Sequence, residues 1–209
     1  MRAYSCPVSL RDRKRARTRQ LLVEVATELF ERNGYEETTV AEIAAAAEIG
    51  TRTFFGYFSS KEELLFPESD ARVQATITAI ASRRPGEGPA EVLLRALRTV
   101  GDDSDEMVSR LAVLRLRLFQ TVPAVRGRAL QVQLDAQREI GRQLAAAFPE
   151  QLDEVSAGAL TGAFVGAIAG ALAVVLDGSE HRDDPAALHA AIRAATEVAL
   201  APWLRDLPS

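Results

Sequence analysis

The chain has 209 residues, 47% hydrophobic and 26% charged, which is typical of a soluble globular protein with one large or two small domains. Its net charge of −4 excludes a uniformly basic protein, and its single cysteine excludes an intramolecular disulfide and suits a cytoplasmic location. Six basic residues against one aspartate in segment 11–19 give a local charge of +5, which leaves −9 for the remainder. This distribution fits a protein that contacts phosphate at one end.

The N-terminal region predicts a short tail followed by an amphipathic helix. Residues 1–10 show no periodicity, so we expect a disordered tail there. From about Asp12 to Arg32 the apolar residues recur at helical spacing. The pair Asn33-Gly34 tolerates the left-handed conformation that ends a helix.

Two further short helices are predicted before residue 62. Thr39 and Glu42 have the spacing of a capping box, which opens a second helix rich in alanine. The sequence Glu48-Ile49-Gly50 interrupts it, and residues 51–57 form the third helix. Ser60 and Glu63 give a second capping box. We therefore predict one domain over 11–62 and another over 63–209.

Beyond residue 63 every periodic stretch is helical. A helix continues to about Ala81, and the turn-rich segment RRPGEGP follows it. No alternating β pattern occurs, so the predicted fold is all-α with about nine helices. The later helices are expected at about 90–100, 105–120, 123–148, 152–176 and 185–204.

The order of these features is that of a helix-turn-helix DNA-reading domain. Side chains in the first turn of the third helix can reach base edges, where arginine pairs with guanine and threonine contacts bases. Nearby hydroxyls and a lysine can hold phosphates, and the basic segment can add nonspecific affinity or enter an adjacent minor groove. The candidate contacts to double-stranded DNA are Arg15, Arg17, Thr39, Val40, Thr51, Arg52, Thr53, Gly56, Tyr57 and Lys61.

Two other classes of protein remain open. Alanine-rich helix pairs also occur in bundles that bind no DNA, so a helical adaptor with weak DNA binding is an alternative. An enzyme is disfavoured because His181 and His189 form no known metal or catalytic motif, and no phosphate-binding loop is present. We expect no catalytic residue, metal or cofactor.

Segment 34–65, GYEETTVAEIAAAAEIGTRTFFGYFSSKEELL, is similar to the N-terminal domain of TetR-family transcriptional regulators. The resemblance runs from about Arg15 to Phe66, about a third of the chain. It implies a three-helix DNA-binding domain, an all-helical effector-binding domain and a homodimer that reads a palindromic operator. It also implies release by a small molecule, which leaves repressor or ligand-responsive activator open.

Three positions depart from the family's usual pattern. Glu48 stands where the turn usually has glycine, which predicts either strain of about 1 kcal/mol or a different turn geometry. Gly50 replaces the usual Ser/Thr cap of the recognition helix and is a weaker cap. Gly56 removes a side chain that often contacts DNA.

Glycines recur every fourth residue in helix 152–176 and form a smooth ridge that allows another helix to approach closely. The segment 156–176 is uncharged, but its alanine and glycine make a poor membrane span. The resemblance implies that this helix and helix 185–204 form a dimer interface, while packing inside the subunit is the alternative. The candidate interface residues are Gly158, Gly162, Gly166, Gly170, Ile192 and Trp203.

The effector site is the least determined feature of the sequence. An arginine and several large apolar residues on the central helices are candidates for its lining. The alternative is an ordinary core for the apolar residues and a solvated or paired position for the arginine, as is usual in an amphipathic helix. The candidate lining residues are Met107, Arg110, Leu114, Phe119, Phe148 and Phe164.

Overall fold

The computed structural model describes residues 9–67, 69–102, 110–177 and 185–205. Within these ranges the chain forms nine α-helices and one short 3-10 helix, without a strand, which confirms the all-α prediction. The 3-10 helix spans Glu62–Leu65. The α-helices are α1 (Leu10–Asn33), α2 (Val40–Ala46), α3 (Thr51–Phe54), α4 (Ser69–Ala81), α5 (Pro89–Asp102), α6 (Arg110–Thr121), α7 (Pro123–Ala147), α8 (Glu154–Asp177) and α9 (Pro185–Arg205).

The chain divides into two compact units at Pro67. In the first unit, α1, α2, α3 and the 3-10 helix surround one apolar core. Each of these elements supplies at least one residue that is almost completely buried, so even the four-residue α3 is anchored. The most deeply buried apolar side chains of this unit are Leu22, Ala26, Phe30, Ile43, Ala44, Phe54, Phe58, Leu64 and Leu65.

Both ends of α1 are set by local hydrogen bonds. The Ser9 side chain accepts from the backbone N–H of Asp12 and caps the first turn. Gly34 ends the helix with a φ of 92°, and its N–H donates to the Phe30 carbonyl. Residues 9 and 10 therefore belong to α1 and its cap, so the predicted tail was too long; residues 1–8 lie outside the described part.

The second predicted capping box was wrong by one residue. Glu63 accepts from the backbone N–H and the hydroxyl of Ser59, not Ser60, because a 3-10 helix follows and changes the spacing. That helix ends at Leu65, and Pro67 separates it from α4, so the predicted continuous helix from 64 to 81 is two elements.

In the second unit α8 packs against both α7 and α9. A Cβ added to Gly141 of α7 would lie 3.6 Å from the Cα of Gly158, so the two backbones approach closely there. The N-terminal half of α8 and the C-terminal half of α9 share the main core, while Ile192 of α9 packs on Ile168 and Leu172 farther along α8. α8 and α9 are therefore antiparallel.

Candidate nucleic-acid interface

The turn between α2 and α3 is built on small and branched apolar residues. Ile43 and Ala44 of α2 are buried, as is Ala47 at its C-terminal end. The Ala44 carbonyl accepts from the backbone N–H of Ile49 at 2.9 Å, which closes the turn. Because the alanines allow close approach, α2 and α3 have the packing of a helix-turn-helix motif.

Glu48 lies in the left-handed region of this turn, with a φ of 55°. A side chain costs about 1 kcal/mol in this conformation, whereas glycine adopts it without a steric penalty. Glu48→Gly should therefore raise the free energy of local unfolding by about 1 kcal/mol, measured by native-state hydrogen exchange of the α2 amides. Glu48→Ala is the matched control, because it removes the carboxylate but keeps Cβ. Equal stabilisation by both variants would assign the effect to charge.

α3 exposes its polar side chains and buries only Phe54. Gly50 caps the helix with extended backbone (φ −79°, ψ 151°) and supplies no side-chain hydrogen bond. Thr51, Arg52 and Thr53 are all exposed. One guanidinium and two hydroxyls thus occupy the first turn, where side chains can reach base edges in a major groove.

Phe55 is an exposed aromatic residue that the sequence analysis did not assign. Its side chain is 54% exposed and meets the ring of Phe54 edge-on at 5.4 Å. It follows Arg52 by three residues and lies on the same face of the helical turn. The sequence did carry a signal, because two adjacent phenylalanines cannot both face the core. An exposed ring here can contact a thymine methyl group.

Gly56 and Tyr57 lie at the C-terminal end of the recognition segment, residues 51–57, and contact α1. The Gly56 carbonyl accepts from Arg15 Nη2 at 2.9 Å, and the Arg15 guanidinium lies 5.0 Å from the centroid of the half-buried Tyr57 ring. A Cβ at Gly56 would lie 3.2 Å from the Thr53 carbonyl oxygen, which is tight. Arg15 was expected to contact a DNA phosphate. In the structure its guanidinium contacts the recognition segment and holds it against α1.

Thr39 forms the capping box that the sequence predicted. Its hydroxyl accepts from the backbone N–H of Glu42 at 3.2 Å, and the Glu42 carboxylate accepts from the Thr39 N–H at 2.7 Å. The Thr39 backbone hydrogen bond lowers the pKa of Glu42, and the Thr39 side chain adds to this effect. Val40 is half-buried at the first position of α2. Both residues sit at the N-terminal end of α2, where a phosphate is favoured.

Lys61 is engaged inside the first unit. Its Nζ donates to the carbonyls of Tyr35 at 2.7 Å and Thr38 at 3.0 Å, and it lies 4.1 Å from the Tyr35 ring centroid. The Tyr35 hydroxyl donates to Glu62, and burial followed by this hydrogen bond raises the pKa of Tyr35. Lys61 thus fastens the 3-10 helix to the loop before α2, and its phosphate contact stays a prediction.

The basic segment 11–19 forms the first turns of α1. The segment is therefore helical, as its spacing predicts from about Asp12, and it does not form an extended arm that could enter a minor groove. Arg17 is exposed on this helix. The segment provides a fixed positive surface.

The candidate dimer face is the outer side of α8 and α9. Cβ atoms added to the α8 glycines at 158, 162, 166 and 170 meet no described atom within 4 Å. Val174 of α8 and Val198 of α9 are 74% and 76% exposed. α8 is long and apolar enough to cross a membrane by length and composition, yet only 22% of that window is buried in the subunit. Within the described residues, no other part of the chain packs against this face.

One residue predicted at that interface faces inward instead. Ile192 is 1% exposed and packs on Leu97, Leu116 and Ile168, because this face of α9 packs on α5 and α8. Trp203 packs against the main core of its own unit but remains partly exposed, so its place at the interface stays a prediction.

The candidate pocket residues do not all come together. Phe148 and Phe164 belong to the main core, and Leu114 is also buried. α7 has 25 residues and is about 37 Å long at ~1.5 Å per residue. Phe119 contacts Arg126 near its start, whereas Phe148 caps its end. These two phenylalanines therefore cannot line one small pocket.

Arg110 is exposed at the start of α6, and Met107 lies outside the described residues. Among the residues that the structure describes, the buried nitrogens Arg128 Nε and His189 Nε2 have no hydrogen-bond partner. Over the same ranges, no group of three metal-ligating side chains occurs.

Comparison with known proteins identifies relatives of this chain. The family model described as bacterial regulatory proteins, tetR family, matches residues 22–66. The HTH-type transcriptional regulator TcmR of Streptomyces glaucescens is 34% identical over 150 residues, which cover 69% of this chain and 66% of TcmR. The chain spans between 21% and 66% of the lengths of the four curated relatives it matches, all named as transcriptional regulators.

Two solved structures share the fold at low sequence identity. Thermus thermophilus FadR, a TetR-family transcriptional repressor in complex with lauroyl-CoA, has 22% identity and a TM-score of 0.56, over 91% of this chain and 98% of FadR. A TetR-family regulator from Syntrophomonas wolfei has 17% identity and a TM-score of 0.61, over 88% of this chain and 96% of the regulator.

Proposed function

Because this chain belongs to the TetR family of bacterial transcriptional regulators, we propose that it is a cytoplasmic repressor that binds a palindromic operator as a homodimer. A small molecule bound to its second unit releases the operator. The exposed polar turn of α3, backed by the buried Phe54, is the observation that carries this function.

The roles of the DNA-binding residues follow from their exposure and chemistry. Arg52 pairs bidentately with a guanine, and Thr51 and Thr53 contact adjacent bases. The N-terminal end of α2 and the basic turns of α1 hold phosphates, which set the register without reading sequence. Arg17 belongs to this second group.

Dimerisation follows from the uncovered face of α8 and α9. α8 is apolar yet mostly unburied within its own subunit, and a large exposed apolar patch marks an interaction site. The glycine ridge lets the same helix of a second copy approach closely, and a two-fold interface pairs this face with itself. Two copies then present their α3 helices about 34–36 Å apart, one turn of DNA.

The effector site is proposed around His189, whose buried Nε2 has no hydrogen-bond partner among the described residues. A buried polar group without a hydrogen bond costs about 1–3 kcal/mol, so a native protein keeps one for a reason. His189 precedes Ile192 by three residues and shares its helix face, which packs on partly buried apolar residues of α5, α6 and α8. An apolar molecule with one polar group suits such surroundings. The protein would exchange between a conformation that fits the operator and one that does not. A molecule that binds the second conformation more tightly would release the DNA.

In the first step of the experiment, the purified protein selects duplexes from genomic DNA. In the second step, a selected duplex is titrated with the wild-type protein and with the Arg52→Ala variant. Arg52→Ala should weaken operator binding by about 1–3 kcal/mol and relax base preference at one position of each half-site, measured by fluorescence anisotropy. Arg17→Ala is the matched control. It should weaken binding to every duplex alike and lower the slope of log K against log salt by about 0.9.

Failure to enrich any duplex with two-fold symmetry would contradict the operator proposal and favour the helical adaptor. Unchanged base preference in Arg52→Ala would remove Arg52 from the reading residues. Adding small molecules to the selected complex tests release directly.

A further inference from the structure

Arg19 contacts the recognition segment from α1 and was outside the candidate DNA contacts. Its Nη1 donates to the Tyr57 carbonyl at 2.7 Å. One turn earlier on α1, Arg15 donates to the adjacent Gly56 carbonyl. The last carbonyls of a helical segment have no partner within it, and cations are favoured at that end. These two arginines therefore close the C-terminal end of residues 51–57.

Arg19 is held on more sides than Arg15. Its guanidinium lies 4.1 Å from the centroid of the buried Phe58 ring, and Nη2 lies 3.8 Å from the Glu63 carboxylate. Glu63 in turn accepts from the backbone N–H of Ser59 at 2.7 Å. The Arg19 side chain is 31% exposed. Its charge is thus directed into the protein and not toward solvent.

A four-residue helix has too few hydrogen bonds of its own to keep its orientation, so neighbouring groups must hold it. Base readout needs donors placed within hydrogen-bonding tolerance of a base edge, whereas phosphate contacts mainly set register. A group that orients α3 therefore matters for the operator more than for other DNA.

We propose that Arg19 is a positioning residue for operator recognition, which fixes the angle of the recognition segment without binding phosphate itself. The proposal rests on the proposed function. It gives Arg19 a role opposite to that of the exposed Arg17, which supplies affinity for any DNA. Its hydrogen bond to the Tyr57 carbonyl, its position against the Phe58 ring and its ion pair with Glu63 hold the turn that follows α3.

The test compares Arg19→Gln and Arg19→Lys with the matched control Arg17→Gln on the same helix. Arg19→Gln should lower operator affinity by roughly ten- to a hundredfold, and leave the affinity and salt slope on an unrelated duplex unchanged. Arg19→Lys keeps the charge but loses the planar fork, so it should remain at least roughly tenfold weaker on the operator. Arg17→Gln should lower the salt slope on both duplexes.

A fall of about 0.9 in the salt slope for Arg19→Gln, with wild-type behaviour of Arg19→Lys, would overturn the proposal and make Arg19 a phosphate contact. A second readout needs no DNA. Hydrogen exchange of the amides at 54–58 should accelerate in both Arg19 variants and not in Arg17→Gln. Unchanged exchange there overturns the positioning role. If the wild type binds no duplex, the proposed function fails while the exchange measurement still decides whether Arg19 holds this segment.

Discussion

Gly166→Glu should convert the protein from a dimer to a monomer and lower operator affinity by about a hundredfold or more. Gly166 is exposed on the outer face of α8, and a Cβ added there meets no described atom outside its own stretch of helix within 4 Å. The substitution should therefore leave the subunit folded. In a two-fold interface it places two carboxylates in an apolar contact, and each unpaired buried charge costs several kcal/mol.

Gly127→Glu is the matched control for this experiment. Gly127 is also an exposed helical glycine with open space at its Cβ, but it lies on α7. Light scattering measures the mass of each variant in solution, and the fluorescence anisotropy of a labelled operator duplex measures its binding. A Gly166→Glu protein that stays dimeric would place the interface elsewhere. A monomer that keeps full operator affinity would contradict the two-half-site arrangement.

Helix ends were predictable where the signal is local. The capping box of Thr39 and Glu42 and the left-handed stop at Gly34 each involve partners within four residues, so the sequence contains the whole interaction. The start of α7 at Pro123 is of the same kind, because proline suits the first helical position. Such features do not depend on what the helix later packs against.

Predictions failed where two helical geometries compete. Ser59 rather than Ser60 pairs with Glu63 because the following helix is 3-10. The recognition helix also ends at Phe54 and continues only as a turn to Tyr57. Whether a short segment forms α or 3-10 turns depends on the core beneath it, and here Phe58, Leu64 and Leu65 fill that core. Spacing alone does not contain this information.

The direction of an apolar face depends on long-range packing. Ile192 and Val198 both lie on α9, yet the first is 1% and the second 76% exposed. Their sequence surroundings are similar, and the difference arises because α9 packs on both α5 and α8. Likewise, Arg15 and Arg19 look like neighbours in one basic run, but their partners lie 41 and 38 residues away. The candidate reading residues were accessible to sequence reasoning, whereas the groups that hold them were not.

Phe54→Ala should lower the free energy of unfolding of the first unit by about 3–5 kcal/mol and abolish operator binding. The Phe54 ring is fully buried and lies 6.0 Å from the Phe58 ring. Its loss leaves a cavity beneath α3, which cannot remain helical on its own hydrogen bonds. Since a domain has only about 5–15 kcal/mol of stability, much of that of the first unit would be lost.

Phe55→Ala removes the same atoms from the adjacent position and is the matched control. Because the Phe55 ring is 54% exposed, its loss should cost about 1 kcal/mol or less in stability. Hydrogen exchange of the α1 and α2 amides measures the stability of the first unit. The fluorescence of Trp203, the single tryptophan, monitors unfolding of the second unit. Equal destabilisation by both variants would contradict the assignment of Phe54 as the anchor of α3. Weaker operator binding by a fully stable Phe55→Ala would instead identify the exposed ring as a direct contact to DNA, since stability and affinity would then have separated.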